Sequence, residues 1–156
     1  MNQLEPTLDI SRAHRFTGLM NKKKLFEKLA ELLTLESGPS FHRVLDGLNA
    51  REKLGCTCIG KGVAIPHCKL SSDTPVAAVM ILDEPIKYGE NDDNIVDIIF
   101  GLMVPVENCE QHLHLLSSIA KLCEQESWLD GLRCLKSDQE ITAYLAATET
   151  SLGEFL

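Results

Sequence analysis

His67 closes the run Arg51-Glu-Lys-Leu-Gly-Cys-Thr-Cys-Ile-Gly-Lys-Gly-Val-Ala-Ile-Pro-His67, the stretch of the chain whose residue types and spacing best suit chemistry. The ring of Pro66 fixes φ at about −65° and holds Ile65 extended, so the imidazole is presented from a stiff strand end. A neutral imidazole has one unprotonated nitrogen, able to attack phosphorus or to bind a metal. If that nitrogen takes a phosphoryl group, the other must carry the proton and donate it to a carbonyl or carboxylate. Arg51 supplies a planar, permanently charged fork that matches phosphate oxygens. His112 and His114 follow Asn108 in the first turns of a predicted helix, where free N–H groups and the helix dipole favour an anion. The Gly60-Lys61-Gly62 turn allows close backbone approach and could offer further N–H groups. Taken singly, these residues have plainer readings. His42, His112 and His114 suit ordinary helix positions, and Arg51 suits a helix C-terminus. The joint pattern is what favours chemistry.

The elements that must hold these residues follow from the apolar periods. Asn21 caps a helix through Leu33, with Leu25, Phe26, Leu29, Ala30 and Leu33 on one stripe and Lys22 to Lys24 solvated. Gly38 and Pro39 interrupt the chain. Ser40 caps a second helix with Phe41, Val44, Leu45 and Leu48 inward, and Gly55 ends it, which puts Arg51 near its C-terminal end. Thr57 to Ile59 and Val63 to Ile65 flank the glycine turn as a short hairpin or edge strands. Pro75 to Leu82 and Ile95 to Val104 are near-continuous apolar runs, the pattern of strands covered on both faces. A polar loop from Tyr88 to Asp93 joins them. Asn108 with Gln111 reads as a capping box for a helix to about Glu124. Ser127 caps a short helix carrying Trp128, Leu129 and Leu132. Ser137 with Glu140 forms a capping box for a last helix ending near Ala147. Residues 1 to 20 and the tail after Thr148 are weakly patterned. One α/β domain over residues 1–156, with its core at about 20–147 and a sheet flanked by helices on both faces, buries these runs economically.

Composition excludes several classes. The chain has 156 residues, 15 Lys+Arg against 23 Asp+Glu and a formal net charge of −8. That balance repels phosphate backbones and anionic lipid head groups, so neither nucleic acid nor membrane insertion is expected. The longest apolar runs are strand-sized, whereas a bilayer span needs about 20 residues. The first fifteen residues lack the apolar segment of a secretory signal, which suggests a cytoplasmic protein with reduced thiols. Neither G-x-x-x-x-G-K-[ST] nor G-x-G-x-x-G occurs, so no nucleotide cofactor is expected.

In these residues the sequence resembles the type-2 enzyme IIA domains of the bacterial phosphotransferase system, the fructose/mannitol class, and most closely their nitrogen-regulatory branch. The matching residues are Arg51-Glu52-Lys53, Gly55, Thr57, Ile59-Gly60, Gly62-Val63-Ala64-Ile65-Pro66-His67 and Lys69-Leu70. Val104-Pro105, His112-Leu113-His114-Leu115-Leu116-Ser117 and Ala120-Lys121-Leu122 extend the match, which covers about residues 20 to 147. The resemblance implies a mixed β-sheet with helices on both faces. It implies that His67 is phosphorylated at Nε2 by a histidine-phosphorylated carrier protein, with Arg51 and His112 at the other active-site positions. It implies a phosphotransferase component with a phosphohistidine intermediate that regulates partners by its phosphorylation state, potassium-transport and sensor proteins among them. No cofactor or metal is required. The alternative within the class is a sugar-uptake component passing phosphate to an enzyme IIB domain.

Three cysteines depart from that resemblance. Cys56, Cys58 and Cys68 stand where relatives carry Ser, Gly and Gly, and a Cβ at 58 or 68 would be costly if the backbone there needed positive φ. With His67 they suggest a second alternative, a Cys/His metal site or redox switch, although C-x-C followed by H-C is not a standard zinc spacing and neighbouring strand residues face opposite ways. Cys109, Cys123 and Cys134 read as packing residues in helices.

Overall fold

A computed structural model describes residues 9–18, 20–34, 39–70, 76–89, 95–106 and 109–155, and the side chains of these residues other than 9–12, 109–113 and 148–155. The elements run β1 (Asp9–Phe16), α1 (Lys22–Leu33), α2 (Phe41–Leu54), β2 (Cys58–Gly60), β3 (Val63–Ala64), β4 (His67–Lys69), β5 (Val76–Lys87), β6 (Ile95–Val104), α3 (Cys109–Cys123), α4 (Glu126–Arg133) and α5 (Asp138–Phe155). The sheet order is β1-β5-β6-β3-β2, with β4 also on β6. β5 and β6 pair antiparallel, as do β2 and β3, while β1 on β5 and β3 and β4 on β6 are parallel. The sheet is therefore mixed, as the family resemblance implied.

Strand alternation sorts the apolar runs onto two faces. Ala78, Met80, Leu82, Ile99 and Met103 pack against Leu25, Leu29 and Leu33 of α1 and Val44 and Leu48 of α2. Ala77, Val79, Ile81, Ile98, Phe100 and Leu102 pack on the other side against Ile119, Leu129, Leu132, Ile141 and Leu145. Both faces of the central strands are thus closed by helices. Gly101 marks a close approach, since a Cβ there would overlap the Leu29 side chain of α1.

The first two helices form where their caps predict. Asn21 Oδ1 accepts from Lys24 N–H at 2.8 Å and Ser40 Oγ from Arg43 N–H at 3.3 Å, each satisfying an otherwise free donor. Ser137 and Glu140 form a reciprocal box, with Glu140 N–H to Ser137 Oγ and Ser137 N–H to Glu140 Oε1 both at 3.1 Å.

Elsewhere the structure corrects the sequence reading. Asp9–Phe16, within the weakly patterned N-terminal stretch, forms β1 beside β5. Its Arg15 donates to the Arg133 and Leu135 carbonyls at 3.1 and 2.7 Å, at the C-terminal end of α4. β5 extends past Leu82 to Lys87, because a break in its ladder between Ile81 and Ile86 accommodates Pro85 and lets Ile86 and Lys87 pair with Val96 and Ile95. Ser127 does not cap α4, which begins at Glu126 after Gln125 without a side-chain cap bond. α5 continues beyond Ala147 to Phe155. Cys123 is buried as expected, whereas Cys134 is exposed at the end of α4. The proposed Asn108–Gln111 box, the Glu90–Asp93 part of the loop and the Cys109 side chain lie outside the described residues.

The contact at Gly101 is testable. Gly101→Ala forces Leu29 out of its rotamer and is expected to cost about 1–3 kcal/mol of stability, read from the midpoint of urea denaturation. An unchanged midpoint would show that α1 does not sit tightly on β6.

Candidate functional site

β3 and β4 are two pieces of one line of chain. Val63 lies opposite Ile98 and His67 opposite Leu102, 35 positions on in both cases, so the register on β6 is kept across Ile65 and Pro66. Leu102 N–H still reaches the Pro66 carbonyl at 3.0 Å. Ile65 turns its polar groups the other way: its N–H donates to the Thr57 carbonyl at 3.0 Å, and its carbonyl lies 2.8 Å from His67 Nδ1. A carbonyl only accepts, so Nδ1 carries the proton and the neutral ring keeps its lone pair on Nε2.

Sheet alternation then decides which groups share a space. His67, like Ile65, is directed to the face covered by α3, where Arg51, Cys56, Thr57, Cys58, Ile59, Ile65, His67, Leu116, Ser117 and Ala120 line an open cleft of about 280 Å³. Cys68 points to the opposite face, buried in the α1/α2 core against Gly47 of α2. Arg51 comes from the last turn of α2 and donates to the Gly55 carbonyl at 3.0 Å. Two large apolar side chains are exposed nearby in sequence, Leu54 at the end of α2 to 84% and Ile59 in the cleft wall to 44%.

The electrostatics keep the ring neutral. Burial, the largest influence, lowers the His67 pKa below its ordinary 6.5, and the charges of Arg51 and Lys69 act in the same direction. The hydrogen bond to Ile65 and the charge of Glu52 oppose them without prevailing. At neutral pH the site therefore holds an imidazole with an unprotonated Nε2 in a cleft shared with a guanidinium.

Of the residues nominated from sequence, His67 and Arg51 are brought together. His112 lies in α3 one turn before Leu116, and its side chain falls outside the described residues. His114 and His42 are exposed and do not line the cleft, His42 packing edge-on to Phe41. The Gly60-Lys61-Gly62 turn does not line it either. All three residues have positive φ, and Arg133, paired with Asp97, occupies the Lys61 carbonyl at 2.5 Å. A Cβ at Gly62 would meet that guanidinium, so the glycine serves the brace.

The cysteines are divided as well. Cys56 and Cys58 line the cleft while Cys68 faces away with its thiol pushed up to about 12 by burial, and burial also raises Cys56. Neither change favours a reactive thiolate. Among the described residues no group of three or more His, Cys, Asp and Glu is gathered as for a metal ion. Positive φ outside glycine occurs, among the described residues, at Lys61, so Cys58 and Cys68 carry their Cβ without backbone strain.

Sequence reasoning missed the group behind the cleft. Glu52, next to Arg51, accepts from Lys22 Nζ at 3.0 Å, Thr57 N–H at 3.1 Å and Thr57 Oγ1 at 2.7 Å. Burial raises its pKa, yet the hydrogen bonds from Thr57 and Lys22 outweigh burial and leave it below the usual value. Lys22, expected in solvent, lies with its Nζ 4.2 Å from the centroid of the buried Tyr88 ring. The i,i+5 spacing of Glu52 and Thr57 across the Gly55 turn has no period that would expose it.

The chain matches the family "Phosphoenolpyruvate-dependent sugar phosphotransferase system, EIIA 2" over residues 13–148. It belongs to that family. Its relatives include the nitrogen regulatory protein of Escherichia coli (strain K12), 36% identical over 146 residues, 92% of this chain and 87% of that one. The nitrogen regulatory protein of Pseudomonas aeruginosa is 41% identical over 116 residues, covering 72% and 75%. The crystal structure of nitrogen regulatory protein IIA-Ntr from Neisseria meningitidis superposes with a TM-score of 0.80 at 35% identity, covering 90% of this chain and 97% of that one. The enzyme IIA resemblance and its fold are thus shown, with the nitrogen-regulatory branch the nearer kin.

The lowered His67 pKa has two measurable consequences. The ring is expected to titrate below pH 6.5 by ¹⁵N NMR, with its proton on Nδ1 when neutral, and Arg51→Ala should move the midpoint upward. As pH falls, the unfolded chain takes up this proton first, so stability should fall from pH 6.5 down to the folded-state pKa and be unaffected by this group above 6.5. A midpoint at or above 6.5 would contradict both.

Proposed function

We propose that the protein is a phosphoryl carrier and regulator of the nitrogen phosphotransferase system. His67 accepts the phosphoryl group from a histidine-phosphorylated carrier protein. The observation that carries this reading is the bond from His67 Nδ1 to the Ile65 carbonyl, which reserves the lone pair for Nε2 in the cleft that also receives Arg51. In the step, the Nε2 lone pair attacks phosphorus, the new N–P bond forms and the donor's N–P bond breaks with its electron pair returning to the donor imidazole. Nδ1 keeps its proton throughout. Arg51 neutralises charge on the equatorial oxygens, and positioning supplies most of the remaining assistance. His112 belongs to the same site by family resemblance. Transfer between two imidazoles is nearly balanced, so the phosphorylated fraction follows the donor pool. The added charge, about −1.5 to −2 by analogy with other phosphorylated side chains, alters a surface that includes Leu54 and Ile59 and so gates partner proteins. Among the described residues no helix is long and apolar enough to cross a membrane, in keeping with a cytoplasmic carrier.

The deciding experiment is intact mass after incubation with phosphoenolpyruvate, enzyme I and the carrier protein. One acid-labile phosphoryl group is expected on the wild type and none on His67→Ala. Arg51→Ala should remain folded and accept the group more slowly, by about tenfold or more. An unmodified wild-type chain overturns the reading, and an unchanged Arg51→Ala rate makes Arg51 structural.

A further inference from the structure

We propose that Glu52 is a positioning residue for phosphoryl acceptance, acting on the His67 ring through a continuous chain of hydrogen bonds that passes through Thr57 and Ile65. The inference rests on the reading of His67 as the acceptor. Its first link is a carboxylate only 10% exposed at the end of α2. One of its oxygens takes Lys22 Nζ and Thr57 N–H at 3.0 and 3.1 Å, and the other takes the Thr57 and Tyr88 hydroxyls at 2.7 and 3.3 Å. Thr57 is thereby gripped at backbone and side chain together. Its carbonyl accepts Ile65 N–H at 3.0 Å, and the Ile65 carbonyl accepts His67 Nδ1–H at 2.8 Å.

Every link constrains the next. The Ile65 peptide groups are free to turn toward Thr57 because Ile65 sits at the break between β3 and β4. The ring in turn has a proton acceptor on one side only if that carbonyl is correctly aimed. A neutral amide weakens this set: with its oxygen toward Lys22 and Thr57 N–H, its NH₂ can bond the hydroxyls only if those of Thr57 and Tyr88, 2.8 Å apart, turn their protons away from it, and the charge that strengthens every one of these bonds is lost. Tyr88, 2% exposed, closes the network from water, which strengthens each bond and raises the cost of leaving one unmade. Arg51 benefits too, since Glu52 fixes the last turn of α2 from the adjacent position.

Glu52→Gln, Thr57→Val and Thr57→Ser test the idea against wild type. Thermal melts establish folding. ¹⁵N shifts of the His67 ring report its tautomer, and single-turnover acceptance at varied concentrations of phosphorylated carrier separates the maximal rate from half-saturation. Glu52→Gln and Thr57→Val are expected to lower the maximal rate about tenfold or more, with half-saturation changed by less than about twofold. Both should raise the share of the Nε2–H tautomer. Thr57→Ser, which keeps the hydroxyl, should stay within about twofold of wild type. A folded Glu52→Gln or Thr57→Val protein with wild-type rate and tautomer overturns the proposal. Should Glu52→Gln not fold, Thr57→Val decides, because it removes one hydroxyl and leaves both backbone links in place. A wild-type chain that accepts no phosphoryl group overturns the acceptor reading instead, and the tautomer comparison, which needs no donor, then decides whether Glu52 orients the ring.

Discussion

The burial of β6 on both faces is the constraint on which the rest depends. A strand with Ile98, Phe100 and Leu102 on one side and Ile99 and Met103 on the other must carry helices on both, and α1 with α2 and α3 with α4 and α5 supply them. Its edges are also both paired. β5 runs along one, and the segment from Val63 to Lys69 along the other. The register of that second pairing is kept on either side of Pro66, which has no N–H to give a neighbouring strand. The candidate site arises at this interruption, where Ile65 directs its polar groups away from β6 and leaves a carbonyl for His67. Fold and chemistry are joined by one dipeptide.

Two supports outside the sheet keep the interruption in shape. On the α2 side, Glu52 ties the end of the helix to Thr57 and so to Ile65. On the α4 side, Arg133 and Asp97 hold the Gly60-Lys61-Gly62 turn, whose left-handed backbone would otherwise be free to open. Arg15 from β1 reaches the end of α4, linking the outermost strand to the element that braces the turn. Residues distant in sequence thereby act on the same short loop.

Local, periodic features were legible in the sequence. The Asn21, Ser40 and Ser137–Glu140 caps and β6 each follow from side-chain type within a few positions, whereas the shared cleft of His67 and Arg51, sixteen positions apart, was legible from their joint pattern and the family resemblance. The features that escaped are held by partners far along the chain. β1 is mostly polar, with Ala13 buried against the helices, and it exists through its ladder on Val76 to Leu82. Ser127 is a good capping residue, but α4 starts one residue before it, packing Leu129 and Leu132 into the core. The Glu52 network draws four residues from three separate stretches, from Lys22 to Tyr88, and each member alone reads as an ordinary polar residue.

One electrostatic field serves both states of the proposed acceptor. After burial, the cations that lower the His67 pKa are Arg51 and Lys69, so a proton on the ring is disfavoured by charge as well as by desolvation. The same charges favour an added phosphoryl group, which brings about −1.5 to −2 by analogy with other phosphorylated side chains. Glu52 lies close enough to oppose this field, and an unpaired carboxylate there would both favour a proton on the ring and repel a phosphoryl group. Its ion pair with Lys22 offsets that charge while leaving its hydrogen bonds to Thr57 intact. Lys22 therefore lets an acid stand behind the proposed phosphoryl site, and the network can hold the ring in place without spoiling the potential that keeps Nε2 unprotonated.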